Sequence, residues 1–162
     1  MQTDSPAPQN YYLGWEEFHR DTRALAAQLL AREKKWRGII GIARGGLIPA
    51  AIIARELNIR MMDTLCIASY EHTQQGVPQI LKTLDSDGSE WLLIDDLVDT
   101  GATANLAREL LPHATIATVY AKPAGKNTAH YWQREFAQDV WIHFPWDIEY
   151  RFVEPLHKQR ES

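Results

Sequence analysis

The stretch 91–104, WLLIDDLVDTGATA, limits the fold more than any other part of this chain. Trp91, Leu92, Leu93 and Ile94 form an apolar run that reads as a short buried strand. Three carboxylates, Asp95, Asp96 and Asp99, follow within five positions. Thr100, Gly101, Ala102 and Thr103 come next, and a helical pattern begins. Small hydroxyls, a glycine and a helix N-terminus together make an anion cup. Backbone N–H groups converge there, Gly101 permits close approach, and the helix dipole favours negative charge. Acids beside such a cup would repel a bare phosphate. They make sense where they face sugar hydroxyls or a divalent metal on the same ligand, so the string reads as a metal-assisted sugar-phosphate site.

An acidic turn with Asp or Thr as a helix cap would explain one of these acids. It does not explain two adjacent acids at a strand end, which serve no packing purpose. The aspartate-rich pattern of isoprenyl synthases lies within a helix, whereas a strand precedes this one. The haloacid-dehalogenase nucleophile pattern needs acids two apart directly after the strand, and the Asp95-Asp96 pair breaks it.

The strand-then-helix order recurs. Residues 15–36 read as an amphipathic helix with Phe18, Leu25, Ala26, Leu29 and Leu30 on one stripe. GIIGIA (38–43) is a buried strand ended by Arg44-Gly45-Gly46. A helix over 47–57 carries Pro49 in its first turn and stops at Asn58. MMDTLCIAS (61–69) reads as a strand, and 70–79 as a mobile polar loop containing Gly76 and Pro78. A short strand over 80–84 precedes the turn DSDG (85–88). After the acidic string come a helix over 103–111, stopped by Pro112, and the strand TIATVYA (115–121). This alternation predicts an α/β fold with an open, mostly parallel twisted sheet flanked by helices. Ligands of such sheets bind beyond the carboxyl ends of the strands. Arg44-Gly45-Gly46, the segment 95–103 and Lys122 all follow predicted strands and should meet on one edge.

At 162 residues the chain reads as one domain over 13–155, between an N-terminal tail (1–12) and a C-terminal tail (156–162). A net charge of −4 gives no global basic field, so no nucleic-acid partner is expected. The apolar runs fall far short of the ~20 residues that cross a bilayer. The polar start, residues 1–10, does not read as a signal peptide. Cys66, the single cysteine, fits a reducing cytoplasm and is expected as a buried core thiol. The histidines at 19, 72, 113, 130, 143 and 157 do not pair at zinc-ligand spacing.

With those loops placed, the chain resembles the type I phosphoribosyltransferases, and within them the 6-oxopurine branch. The resemblance covers about residues 13–153 and is carried by ARGGLIPA (43–50), Ser69-Tyr70, LLIDDLVDTGATA (92–104), YAKPAG (120–125) and VWIHFPWD (140–147). It implies the family's fold with a small hood region. It also implies transfer of ribose 5-phosphate from phosphoribosyl pyrophosphate (PRPP) to a purine nitrogen, with Mg²⁺ and release of pyrophosphate. Asp95 and Asp96 would accept hydrogen bonds from the ribose hydroxyls, with Asp96 near the metal. Asp99, Thr100, Gly101, Ala102 and Thr103 would wrap the 5-phosphate, Arg44 and Gly45 would hold pyrophosphate, and Ser69 and Tyr70 complete the PRPP set. Asp99 would be the general acid/base at purine N7, and Lys122 would donate to the 6-oxo group. Trp141 would stack on the base, the Ile142 backbone would read its 2-position, and Asp147 would be a ligand for a second Mg²⁺. Relatives often carry a non-proline cis bond in the turn after the first sheet strand. They form dimers or tetramers, and some associate peripherally with the inner membrane, toward which only the tail HKQR points in this chain.

The chain departs from its relatives in two places. Ala43 stands where many carry serine. The basic residue expected in the loop after Ser69-Tyr70 falls at Gly76, and no Lys or Arg occurs from 61 to 81, so either Lys82 substitutes or pyrophosphate is held differently. A PRPP-sensing regulator on the same fold would need a basic face or an added DNA-binding domain. Lys122 and Trp141-Ile142 argue against another acceptor such as adenine, orotate or uracil.

Overall fold

A computed structural model describes residues 9–69, 78–147 and 156–158. The chain divides into two compact units, residues 19–138 and a smaller one made of 1–18 with 139–162.

In the larger unit a six-stranded sheet has the order β4-β3-β2-β5-β6-β7. Its strands are β2 (Gly38–Ala43), β3 (Met62–Ser69), β4 (Pro78–Lys82), β5 (Trp91–Val98), β6 (Thr115–Ala121) and β7 (Tyr131–Glu135). All pairs are parallel except the β3–β4 edge. Every residue of β6 is buried, as are the first five of β2. That is why neither alternates apolar with polar residues, since a parallel strand covered on both faces has no solvent side, and Thr115 and Thr118 of β6 are buried with the rest. The helices are α1 (Trp15–Leu30), which begins in the smaller unit, α2 (Leu47–Glu56) and α3 (Ala102–Leu110). Ile40, Ile42, Leu65, Leu93 and Ile116 from the strands pack with Ala104, Ala107 and Leu111 in one core.

Several boundaries differ from expectation. Helix α1 stops at Leu30 rather than 36, because its last turn tightens (Arg32 N–H to Leu29 O, 3.1 Å) and Glu33 takes φ +53°. Asn58, at φ +54°, ends α2 as predicted. Strand β4 starts two residues before the expected 80–84. Strand β5 does not end at Ile94 but runs through Asp95 and Asp96 to Val98. Its pairing with β6 (Asp95↔Thr118, Val98↔Ala121) overrides the poor strand propensity of aspartate. Cys66 is a free thiol only half-buried, on a strand one place in from the sheet edge. Most of the loop 70–79 lies outside the described residues.

In the smaller unit, Gln9–Tyr12 is a strand (β1), not the end of a tail, and pairs in parallel with β8 (Val140–His143). The polar sequence concealed it because backbone pairing and the stacking of Tyr12 on His143 (4.5 Å between ring centroids), rather than apolar burial, hold it. Phe18, Phe144 and Trp146 form an aromatic cluster beside this ribbon, Phe144 stacked on Trp146 at 4.8 Å. No helix of the described residues is long and apolar enough to cross a membrane.

Candidate active site

Strand order locates the crevice. From the central β2–β5 pair the chain builds outward in both directions, to β3 and β4 on one side and to β6 and β7 on the other. The loops that leave β2 and β5 therefore diverge, and this switch point is where α/β sheets open a cleft. Strand β2 accompanies β5 only as far as Gly41↔Ile94, while β5 continues against β6 to Val98. The half of β5 that carries Asp95 and Asp96 thus has no strand alongside on its β2 flank.

The turn after β2 fits against those acids. The Ala43–Arg44 peptide is cis, as the resemblance implies. Gly46 N–H donates to Ile42 O at 2.9 Å and Leu47 N–H to Arg44 O at 3.1 Å, folding the chain into α2. A Cβ on Gly45 would overlap the Asp96 carboxylate, and one on Gly46 would overlap the main-chain oxygens of Ile94 and Ile42. Glycine at 45 thus lets backbone and carboxylate approach closely, whereas at 46 it lets two strands and a helix pack. Ser69 ends β3 opposite Pro78, and Tyr70 lies outside the described residues. Lys82 does not reach toward that end. It hydrogen-bonds Asp63 and the Thr64 hydroxyl, back along β3, and this hydrogen bond holds the Asp63 carboxyl below its ordinary range.

The two adjacent acids are held by their own backbone. Asp95 Oδ1 accepts the Asp96 N–H at 2.9 Å, and Asp96 Oδ1 accepts the Leu97 N–H at 2.7 Å. Desolvation first, and the charge of Asp96 second, push the Asp95 carboxyl well above the usual carboxylate range. Beyond them Gly101, at φ +90°, caps α3, and the Thr100 hydroxyl faces the Ala102 N–H at 3.4 Å. Asp95, Asp99, Thr100, Gly101, Thr103 and Thr118 line a recess of about 110 Å³. That is room for a phosphate-sized group at a helix N-terminus, not for a whole nucleotide.

Lys122 pairs with Asp99, one of the residues that line the recess. Its N–H donates to Val98 O at 2.9 Å, which plants it where β6 ends beside β5. Its side chain is 5% exposed, and Nζ lies 3.0 Å from Asp99 Oδ2 and 3.5 Å from the main-chain oxygen of Gln138. Gln138 Nε2 donates to Asp99 Oδ1 at 2.7 Å. Gly125 packs against the Asp99 carbonyl and the Gly101 nitrogen with no room for a Cβ.

One edge of the larger unit therefore carries Arg44, Gly45, Asp95, Asp96, the segment 99–103 and Lys122. Trp141, Ile142 and Asp147 belong to the smaller unit. There Trp141 is 60% exposed and Ile142 is buried, as alternation along β8 requires. Asp147 ends a 3₁₀ turn with its N–H on Phe144 O at 2.9 Å. Gln138 went unrecognised in the sequence, since a lone glutamine after β7 carries no motif. A larger cavity of about 760 Å³ lies at the opposite sheet end, between Trp36, Leu57 and Met61, and holds none of the predicted site residues. The smaller recess is the candidate site because the chemistry converges there.

Among the described residues no three His, Cys, Asp or Glu side chains form a ready-made metal cage. The carboxylate oxygens of Asp96 still suit Mg²⁺, which keeps several waters and is commonly held by one or two carboxylates plus substrate phosphates.

Comparison with known proteins points to one family. The family model described as the phosphoribosyl transferase domain matches residues 9–152. The xanthine-guanine phosphoribosyltransferase of Chromohalobacter salexigens is 54% identical over 95% of this chain and 94% of its own. The enzyme of that name from Nitratidesulfovibrio vulgaris (strain DP4) is 53% identical over 91% of each. Among solved structures, a purine phosphoribosyltransferase from Pyrococcus horikoshii Ot3 superposes with a TM-score of 0.73 at 31% identity, covering 90% of this chain and 99% of that one.

Proposed function

This chain belongs to the phosphoribosyl transferase domain family, and we propose that it is a purine-salvage enzyme of the 6-oxopurine branch. It converts guanine, xanthine or hypoxanthine and PRPP to GMP, XMP or IMP and pyrophosphate. One observation carries the choice of base: the buried Lys122 ammonium and the Asp99 carboxylate, 3.0 Å apart, beside the phosphate-sized recess. They offer a donor next to an acceptor. A 6-oxopurine offers the complement on one edge, an acceptor at O6 and, in its N7–H tautomer, a donor at N7. Adenine turns a 6-amino donor toward an ammonium that has no acceptor. A site built around such a pair rejects the mismatched analogue by roughly 10⁴–10⁵-fold.

The remaining assignments follow the same edge. The backbone and hydroxyls of 99–103 bind the 5-phosphate at the α3 N-terminus. Asp95 and Asp96 accept hydrogen bonds from the ribose hydroxyls, and Arg44 and Gly45 hold the pyrophosphate. Asp99 takes the N7 proton as the ribosyl carbon transfers, general acid–base participation that typically contributes ~10²–10⁴-fold. Fixed donors around the leaving pyrophosphate stabilise the separating charges. Asp96 would hold Mg²⁺, which neutralises charge on the pyrophosphate when bound. Stacking by Trp141, readout of the 2-position by the Ile142 backbone, metal binding by Asp147 and PRPP contacts from Ser69 and Tyr70 join the proposal on sequence resemblance. So do assembly as a homodimer or homotetramer, a cytoplasmic location and peripheral association with the inner membrane.

The test is an initial-rate panel of guanine, xanthine, hypoxanthine, adenine and uracil with PRPP and Mg²⁺. GMP formation with adenine essentially inert is expected. AMP formed as fast as GMP would sink the 6-oxopurine reading.

A further inference from the structure

We propose that Gln138 is a positioning residue for the base end of the site, acting through Asp99. The assignment rests on the reading that Asp99 and Lys122 meet the purine edge. The Asp99 side chain is 46% exposed, so burial does not fix the plane of its carboxylate. Hydrogen bonds do. Gln138 Nε2 donates to Oδ1 at 2.7 Å while Lys122 Nζ engages Oδ2 at 3.0 Å. With one oxygen held on each side, rotation about the Cβ–Cγ bond would break both contacts, and Oδ2 stays turned toward Lys122.

The other end of the Gln138 amide is tied as well. Its Oε1 accepts the Ala124 N–H at 2.9 Å. That contact settles the amide orientation: an N–H needs the oxygen, and a carboxylate needs the NH₂. The main-chain oxygen of Gln138 also lies 3.5 Å from Lys122 Nζ. One residue thus links the loop after β5, the loop after β6 and the two groups assigned to the purine. Its donation to a carboxylate is charge-assisted, the stronger class of hydrogen bond.

Two substitutions separate positioning from loop anchoring. Gln138→Leu removes both amide contacts. Gln138→Glu keeps an acceptor for the Ala124 N–H but removes the donor to Asp99 and sets like charges together. If Gln138 acts through Asp99, kcat with guanine falls by about tenfold in Gln138→Leu and at least as far in Gln138→Glu, the scale of one lost charged hydrogen bond. The KM for PRPP stays within about twofold, because the phosphate cup is untouched. In the Asp99→Asn background, adding Gln138→Leu changes kcat by less than about twofold, the non-additivity expected of residues acting in one chain. Wild-type kcat in Gln138→Glu beside a slow Gln138→Leu would reduce Gln138 to a loop anchor and overturn the assignment. So would the same tenfold loss in both backgrounds. Absence of 6-oxopurine turnover by the unsubstituted chain would instead overturn the functional reading on which the assignment stands.

Discussion

Replacing Lys122 by methionine keeps the length of the side chain and removes its charge. The side chain is 5% exposed, and its ion-pair partner Asp99 is 46% exposed. Losing one member of a fully buried pair would cost about 3–5 kcal/mol, because the abandoned charge stays desolvated. Asp99 is not abandoned in that sense, since water reaches it and Gln138 still donates to it. The stability loss should therefore be near 1 kcal/mol, the scale of an ordinary hydrogen bond, and is partly offset by no longer burying an ammonium. For a domain of this size that is a drop in Tm of about 2–4 °C. Activity should respond far more. A charged hydrogen bond to the 6-oxo group contributes about 1.5–3 kcal/mol, or roughly 10–150-fold in kcat/KM for guanine. The assay pairs thermal denaturation with initial rates on guanine and adenine. The expected result is a folded protein, slow with guanine, whose preference for guanine over adenine has narrowed. If Lys122→Met keeps guanine kcat/KM within about threefold of the parent, the buried ammonium is structural and the base assignment fails.

The glycines of the loop after β2 should part company. The nearest atoms to a methyl at Gly45 are those of the Asp96 carboxylate, a side-chain group that rotation can carry aside. Gly45→Ala should therefore fold, with Tm within a few degrees of the parent, while its KM for PRPP rises about tenfold or more as that carboxylate is displaced. Gly46→Ala meets main-chain oxygens that cannot move and should lose about 2–4 kcal/mol in urea unfolding. Equal stability for the two would contradict the packing. His130 supplies a pH test away from the site. Its Nδ1 accepts the Ile116 N–H at 2.9 Å, which requires a neutral nitrogen. Desolvation, then the charge of Arg108, also lower its affinity for a proton. The folded state therefore resists protonation more than the unfolded chain. This contribution to stability is complete above the unfolded value near 6.5 and declines as pH falls through it toward the lower folded value. His130→Gln should be less stable than the parent at pH 7.5 by about 1 kcal/mol, with the gap closing toward pH 5.5. A gap that widens on acidification would refute the sign.

The sequence by itself determined the larger sheet's central strands, because strands buried on both faces show no polar alternation. GIIGIA and TIATVYA leave no alternative period. It also determined that Asp95–Thr103 gathers acids, hydroxyls and a glycine at a strand-to-helix junction, since the segment is contiguous. Tertiary structure alone decided the rest. Pairing with β6 drew Asp95 and Asp96 into a strand that propensity would have ended at Ile94. Pairing with β8 made a strand of Gln9–Tyr12, where no apolar pattern announces one. Lys122 was legible as a strand-end lysine, but its burial against Asp99 is set by the loops that enclose it. Gln138 was illegible, because a side chain that works by linking two loops, 39 residues from Asp99 in sequence, leaves no local pattern of its own.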